Sequence, residues 1–104
     1  MHARLIEFSG ADAGKREQML ETIQETVLPM LRTYEGFAGH VALYDADNSR
    51  AKAVLLWETE AAAVAAEETL AERRRQLSGG VGLTLESEDL YEAPVVEFEG
   101  ARIS

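Results

Sequence analysis

The apolar residues of this chain change spacing repeatedly, from period two to period 3.6 and back, and each change falls at a cluster of turn formers. Ala3 to Phe8 alternates, with Arg4, Ile6 and Phe8 on one side and Ala3, Leu5 and Glu7 on the other, which predicts a strand. Ser9-Gly10 and the loop Ala11-Asp12-Ala13-Gly14 end it. From Lys15 the spacing is helical: Met19, Ile23, Val27, Met30 and Tyr34 share a face that Leu20 and Leu31 widen. Pro29 lies inside this run and removes the amide that would bond the Glu25 carbonyl, so a bend is expected there. Gly36 is the expected C-terminal stop.

Gly39 to Asp45 predicts a second strand, with Val41 and Leu43 on one face and His40, Ala42 and Tyr44 on the other. The turn-forming run Asp45-Ala46-Asp47-Asn48-Ser49 joins it to a third strand, Ala51 to Glu58, as an antiparallel hairpin. Thr59 is placed to cap a second helix that runs to about Leu77, with Gly79-Gly80 as its stop and Arg73-Arg74-Arg75 at its negative end. Pairs such as Glu67 with Arg74 or Glu68 with Arg75 are expected along it. The thin stripe Ala63, Ala66, Leu70 and Leu77 predicts close approach to a sheet. Leu85 to Glu92 is the fourth strand, and Val95-Val96-Glu97-Phe98 follows Pro94. The order β-α-β-β-α-β is the split βαβ arrangement of the ferredoxin-like α+β class, with both helices on one face of an antiparallel sheet. The opposite face is left bare, so it should meet a partner, and a second copy of the chain is the partner expected. The tail 94–104 is expected to contact that copy.

With 104 residues the chain is expected to be one domain, 1–104. Ten basic residues against nineteen acidic ones give −9, which argues against nucleic-acid and anionic-membrane partners. The absence of cysteine removes disulfides, thiolate metal sites and a cysteine nucleophile, and two histidines, His2 and His40, are too few for an all-histidine metal centre. The N-terminus has no signal-peptide pattern, and no apolar run approaches the roughly 20 residues of a membrane span, so a cytoplasmic location is expected.

The passage Val27-Leu28-Pro29-Met30-Leu31-Arg32, followed by Glu35-Gly36-Phe37-Ala38-Gly39, and the strand end Leu56-Trp57-Glu58-Thr59 carry a family resemblance. Together with the element order, they resemble the antibiotic biosynthesis monooxygenase-like domain of the dimeric α+β barrel superfamily. The resemblance spans Met1 to about Val96. It implies a homodimer whose sheets pack face to face, with a cavity for a small aromatic ligand. Oxygenating members use no metal, flavin or haem, so no cofactor is expected here. Haem-degrading relatives carry an Asn on the first strand and a Trp and a His on the second helix. Strand one lacks Asn, and the helical positions fall near Ala66 and Gln76, so haem degradation is not expected.

Within that frame six residues are candidates for chemistry. His40 and Tyr44 share a strand face about 7 Å apart, and an imidazole near neutrality can take a phenolic proton. Trp57 can stack on a flat aromatic ligand, Arg4 can stabilise a phenolate, and Met30 and Tyr34 can line a pocket. Each also has a plain packing or surface role at its position. Two function classes follow: a cofactor-independent monooxygenase acting on a phenolic or quinol compound, and a non-catalytic dimeric small-molecule-binding or regulatory module.

Overall fold

A computed structural model of the chain describes residues 1–100. Strand β1 (His2–Ser9) leads through a short 3-10 turn (Ala13–Lys15) into a bent helix. That helix, α1, is built from an α-helical piece Arg16–Thr22, a π turn Ile23–Val27 and a final turn Leu28–Leu31. Strands β2 (Phe37–Asp45) and β3 (Arg50–Trp57) form the expected hairpin. Helix α2 (Glu60–Gly80) and strand β4 (Thr84–Glu92) complete the order. All pairings are antiparallel, and the sheet runs β2-β3-β1-β4, the ferredoxin-like α+β arrangement.

The regular α-helical bonding of α1 is interrupted just before Pro29. Pro29 has no amide to donate, and upstream the Leu28 amide reaches back five residues to the Ile23 carbonyl, widening the turn. Gly36 then reverses the chain at φ +81°, and a Cβ there would sit 2.6 Å from the Ala62 Cβ, so only glycine fits. Thr59 caps α2, its hydroxyl accepting from the Ala62 amide at 3.1 Å.

Four expectations need correction. Gly79 and Gly80 do not stop α2 but form its last residues; the left-handed residue is Gly82, at φ +76°. Arg73, Arg74 and Arg75 therefore lie before the last turn, and their partners rather than the helix end account for them. Arg75 pairs with Glu72 at 3.2 Å, one turn away, instead of with Glu68. Strand β2 begins at Phe37, two residues earlier than its alternation suggests, because a bulge between Phe37 and Gly39 breaks the pattern without breaking the ladder.

Both helices cover the face that carries Ile6, Phe8, Leu55 and Trp57. Ala63 and Ala66 bring α2 close to the sheet, as their small side chains predict. The core has two clusters. One gathers Ile6, Leu31, Leu55, Trp57 and Leu70; the other gathers Ala11, Met19, Ala51, Val81 and Leu83 beneath the two loops at the opposite end. Lys15 clasps those loops together, its ammonium donating to the carbonyls of Gly10 and Gly82 at 2.8 and 3.1 Å. The other sheet face carries no helix, and Val41, Leu43 and Tyr91 are exposed on it. Beyond Ala93, whose amide bonds the Met1 carbonyl at 2.9 Å, the chain leaves the sheet, and Val95 and Phe98 stand 79% and 63% exposed. Residues 101–104 of the expected partner-contacting tail lie outside the described residues.

Candidate functional site

The two core clusters do not close on each other. Between them lies a cavity of about 110 Å³, with walls drawn from both. Its helix side is Met19, Ile23 and Met30 of α1, which stand before, within and after the π turn. Its sheet side is Ala42, Ala51 and Ala53, whose methyl groups leave the space unfilled. The register explains their meeting: Ala42 lies opposite Ala53, and Tyr44 opposite Ala51. Polar groups on the wall are few, namely His40, Thr22, Ser78 and Arg74 besides the Lys52 stem.

His40 is the candidate that the structure places on this cavity with chemistry to offer. Strand β2 aims it at the helices, and Leu55 lies opposite it. Burial disfavours its charged form and holds the imidazole below its ordinary value, so it is a neutral base at pH 7. Met30 joins it on the wall.

Tyr44, Trp57, Tyr34 and Arg4 are not among the lining residues, and each has a visible reason. The Tyr44 hydroxyl donates to the Asp12 carbonyl at 2.6 Å and accepts from the Asp12 amide at 3.1 Å, so it anchors the loop before α1. Trp57 is 1% exposed, edge-on to Phe37 and Tyr34 with ring centroids 5.6 and 6.4 Å away. Three rings locked in that geometry give no face to a ligand. The Tyr34 hydroxyl is bonded to Thr69 at 2.6 Å across the helix pair. Arg4 sits 3.6 Å from Glu67, with its Nε buried and without a hydrogen-bond partner among the described residues.

The sequence marked one buried polar group on the wall, Arg74, only as a helix-end cation paired with Glu67. Arg74, its side chain 9% exposed, bonds both Glu67 oxygens at 3.0 and 2.5 Å and also Glu88 of β4. Burial alone would raise Glu67, but the Arg74 hydrogen bonds and charge, with Arg4 beside it, outweigh that and hold it below the ordinary carboxylate value. The Glu67–Arg74 spacing was legible; Glu88 was not, since only strand pairing brings β4 beneath α2. Arg74 is fully engaged by the two carboxylates, so it closes one wall and is not a free cation. Among the described residues, no group of three metal-ligating side chains converges, and no helix is long and apolar enough to cross a membrane. Of the positions that correspond to the haem-degrading pattern, Ala66 is core and Gln76 bonds Glu72 at the surface.

No family model matches the chain, and no curated protein matches it by sequence. Solved structures do match. The monooxygenase ActVA-Orf6 of Streptomyces coelicolor, in complex with nanaomycin D, superposes with a TM-score of 0.67 at 19% identity over 96% of this chain and 92% of its own. SnoaB of Streptomyces nogalater, a cofactor-independent oxygenase, gives 0.64 at 14% identity over 91% and 94%. A dimeric ferredoxin-like protein from an uncultured marine organism gives 0.65 at 10% identity over 95% and 100%. The fold and its one-sided helix layer thus define a ferredoxin-like α+β protein. Within that class, the chain shares its fold with these oxygenases and with structures described as putative antibiotic biosynthesis monooxygenases from Nitrosomonas europaea and Deinococcus radiodurans, the fold that the motifs around Pro29 and Trp57 suggested.

Proposed function

We propose that this chain is a cofactor-independent monooxygenase that oxidises a phenolic or quinol aromatic compound in the cavity between sheet and helices. The observation that carries the reading is His40, a base kept neutral by burial on the wall of an otherwise apolar pocket. A phenol bound there gives its proton to the imidazole, and the phenolate left in an apolar site is a strong electron donor. Dioxygen takes up that electron density at a ring or benzylic carbon. One oxygen atom ends as a new carbonyl on that carbon and the other leaves as water, whose two hydrogens come from a benzylic CH2, or from the C–H of a ring carbon and the phenolic hydroxyl. His40 returns the proton needed for that water. The substrate supplies all the electrons, so no added reductant is required.

The bare sheet face supports a homodimer: Val41, Leu43 and Tyr91 are exposed on it, and Leu56 and Val54 lie between them and the centre. The apolar tail from Pro94 has no ladder partner in its own sheet among the described residues, which supports a tail that contacts the second copy.

Oxygen consumption with a panel of phenols and quinols, in the presence of a metal chelator, tests the activity. At least one compound is expected to react faster with protein than without, and His40→Ala should remove most of that acceleration. No acceleration across the panel, with binding of one member retained, establishes the non-catalytic binding module instead. The engagement of Arg74 by Glu67 and Glu88, and of Lys52 by Glu7, leaves His40 with no second free ionisable group beside it on the wall among the described residues, and this is the feature that favours that second reading.

A further inference from the structure

On the helix-free face, the two central strands present three cross-strand pairs in succession: Leu56 beside Ala3, Val54 beside Leu5, and Lys52 beside Glu7. The first two are apolar. The third is an ion pair, with Lys52 Nζ 3.0 Å from Glu7 Oε1, and the Ser87 hydroxyl donates to Glu7 Oε2 at 2.8 Å. The Lys52 and Glu7 side chains are 36% and 41% exposed, and Leu43, next to Lys52 on β2, is 47% exposed. The charges therefore sit in the middle of the sheet rather than at its edge, with apolar surface beside them.

A central ion pair constrains how a second copy can be laid on this face. Two copies of one chain meet about a two-fold axis, which for aligned sheets runs along the strands or across them. An axis along the strands, midway between β3 and β1, lays β3 of each copy over β1 of the other. Leu56 then meets the partner's Ala3, Val54 the partner's Leu5, and Lys52 the partner's Glu7. An axis across the strands lays β3 over β3. Centred on the charged level, it sets Lys52 against Lys52; centred on the apolar levels, it leaves Leu43 and the ion pair outside the contact. The first arrangement alone covers all three levels without opposing like charges.

Water decides the occupant. A covered carboxylate or ammonium loses its water and needs an opposite charge in its place. A plain apolar face gives none, whereas a second copy gives each of the two charges a new partner. Resting on the homodimer proposed above, we infer that Glu7 and Lys52 set the register of that dimer, with β3 of each copy over β1 of the other and the charges alternating around the axis.

Light scattering across a dilution series tests this on the full chain, with Lys52→Glu and Glu7→Lys made separately. Each variant alone gathers like charges at the axis and should dissociate at a concentration at least tenfold above the parent's. An equimolar mixture of the two restores alternation, and dimers should return in the parent's range. The doubly swapped chain, Glu7→Lys with Lys52→Glu, keeps its internal pair and decides the matter where a single variant fails to fold. It should dimerise with itself like the parent, yet form few mixed dimers with isotope-labelled parent in native mass spectrometry. Single variants that dimerise as tightly as the parent place the charges outside the contact. Single variants that stay apart on mixing show repulsion within one chain only. Either result, or free mixing of swapped and parent chains, overturns the inference while the dimer stands. A parent that is monomeric throughout the series removes the homodimer itself, and the inference with it.

Discussion

The hydroxyl of Tyr44 and the backbone of Asp12 are joined twice, as donor to the carbonyl at 2.6 Å and as acceptor from the amide at 3.1 Å. This couples the end of β2 to the loop that launches α1, and so to the helix wall of the cavity. It also gives Tyr44 a structural role, since its hydroxyl both donates and accepts in this one contact. Tyr44→Phe should therefore lower stability by about 1 kcal/mol, the usual net worth of such bonds, seen as a drop in melting temperature. Full loss of oxygen uptake at an unchanged melting temperature would instead make Tyr44 a catalytic group.

His40 should control the pH profile. Its folded value is depressed by burial, so the imidazole stays neutral to a lower pH than a free histidine. Oxygen uptake should hold as pH falls past the ordinary histidine range and decline only below it; His40→Ala should abolish that limb. The same depression affects stability. Because the unfolded chain takes up the proton first, the folded state loses stability as pH falls from the unfolded value toward the folded one. Titration of the imidazole by NMR at or above the ordinary value would contradict both statements.

Arg74 holds two carboxylates on one wall of the cavity, and Arg74→Met would leave both without their main partner. Loss of one member of a fully buried ion pair costs about 3–5 kcal/mol. Glu67 and Glu88 retain about a fifth of their side-chain exposure, so roughly 2–3 kcal/mol is expected after solvent screening. Denaturant unfolding measures it. Glu67 also predicts acid sensitivity with a definite sign: its folded value is depressed, so its contribution is complete above the unfolded carboxylate range and is lost as pH falls through the folded value. An Arg74→Met variant as stable as the parent would show that water already satisfies the pair.

The tail should tie two copies together. Val95, Val96 and Phe98 could contribute on the order of 4–7 kcal/mol if fully buried, before the cost of ordering the segment. A chain ending at Ala93 should dissociate at higher concentration than the full chain, which light scattering across a dilution series would reveal, and should melt earlier. An unchanged dimer with an unchanged melting temperature removes the tail from the interface.

Much of this architecture was legible because its causes are local. Pro29 cannot donate an amide wherever the helix packs, so an irregularity in α1 could be placed from sequence; the structure shows it as the five-residue reach of Leu28 to Ile23. Thr59 caps α2 through its own side chain, and the Asp45–Ser49 turn closes its hairpin over a few residues. Alternation along β2 likewise put His40 and Ala42 on one face before any partner strand was known. The stop of α2 was misplaced because a helix tolerates glycine when its carbonyls keep their donors, and the reversal waits for Gly82.

The cavity belongs to the other category. It exists because Ala42, Ala53 and Ala51, separated by a turn, are set side by side by the β2–β3 register, and because α1 bends over them. Trp57 had the composition of a ligand platform but lies sealed between Phe37 and Tyr34, residues that only the chain reversal at Gly36 brings to it. Arg74 meets Glu88 for the same kind of reason, across a helix and a strand with no local signal in common. Sequence determined the elements and their inward faces, since hydrogen bonding and side-chain periodicity act over a few residues. Which inward residue became wall, anchor or open space was decided by packing between elements distant in the chain, where volume left unfilled depends on both sides at once.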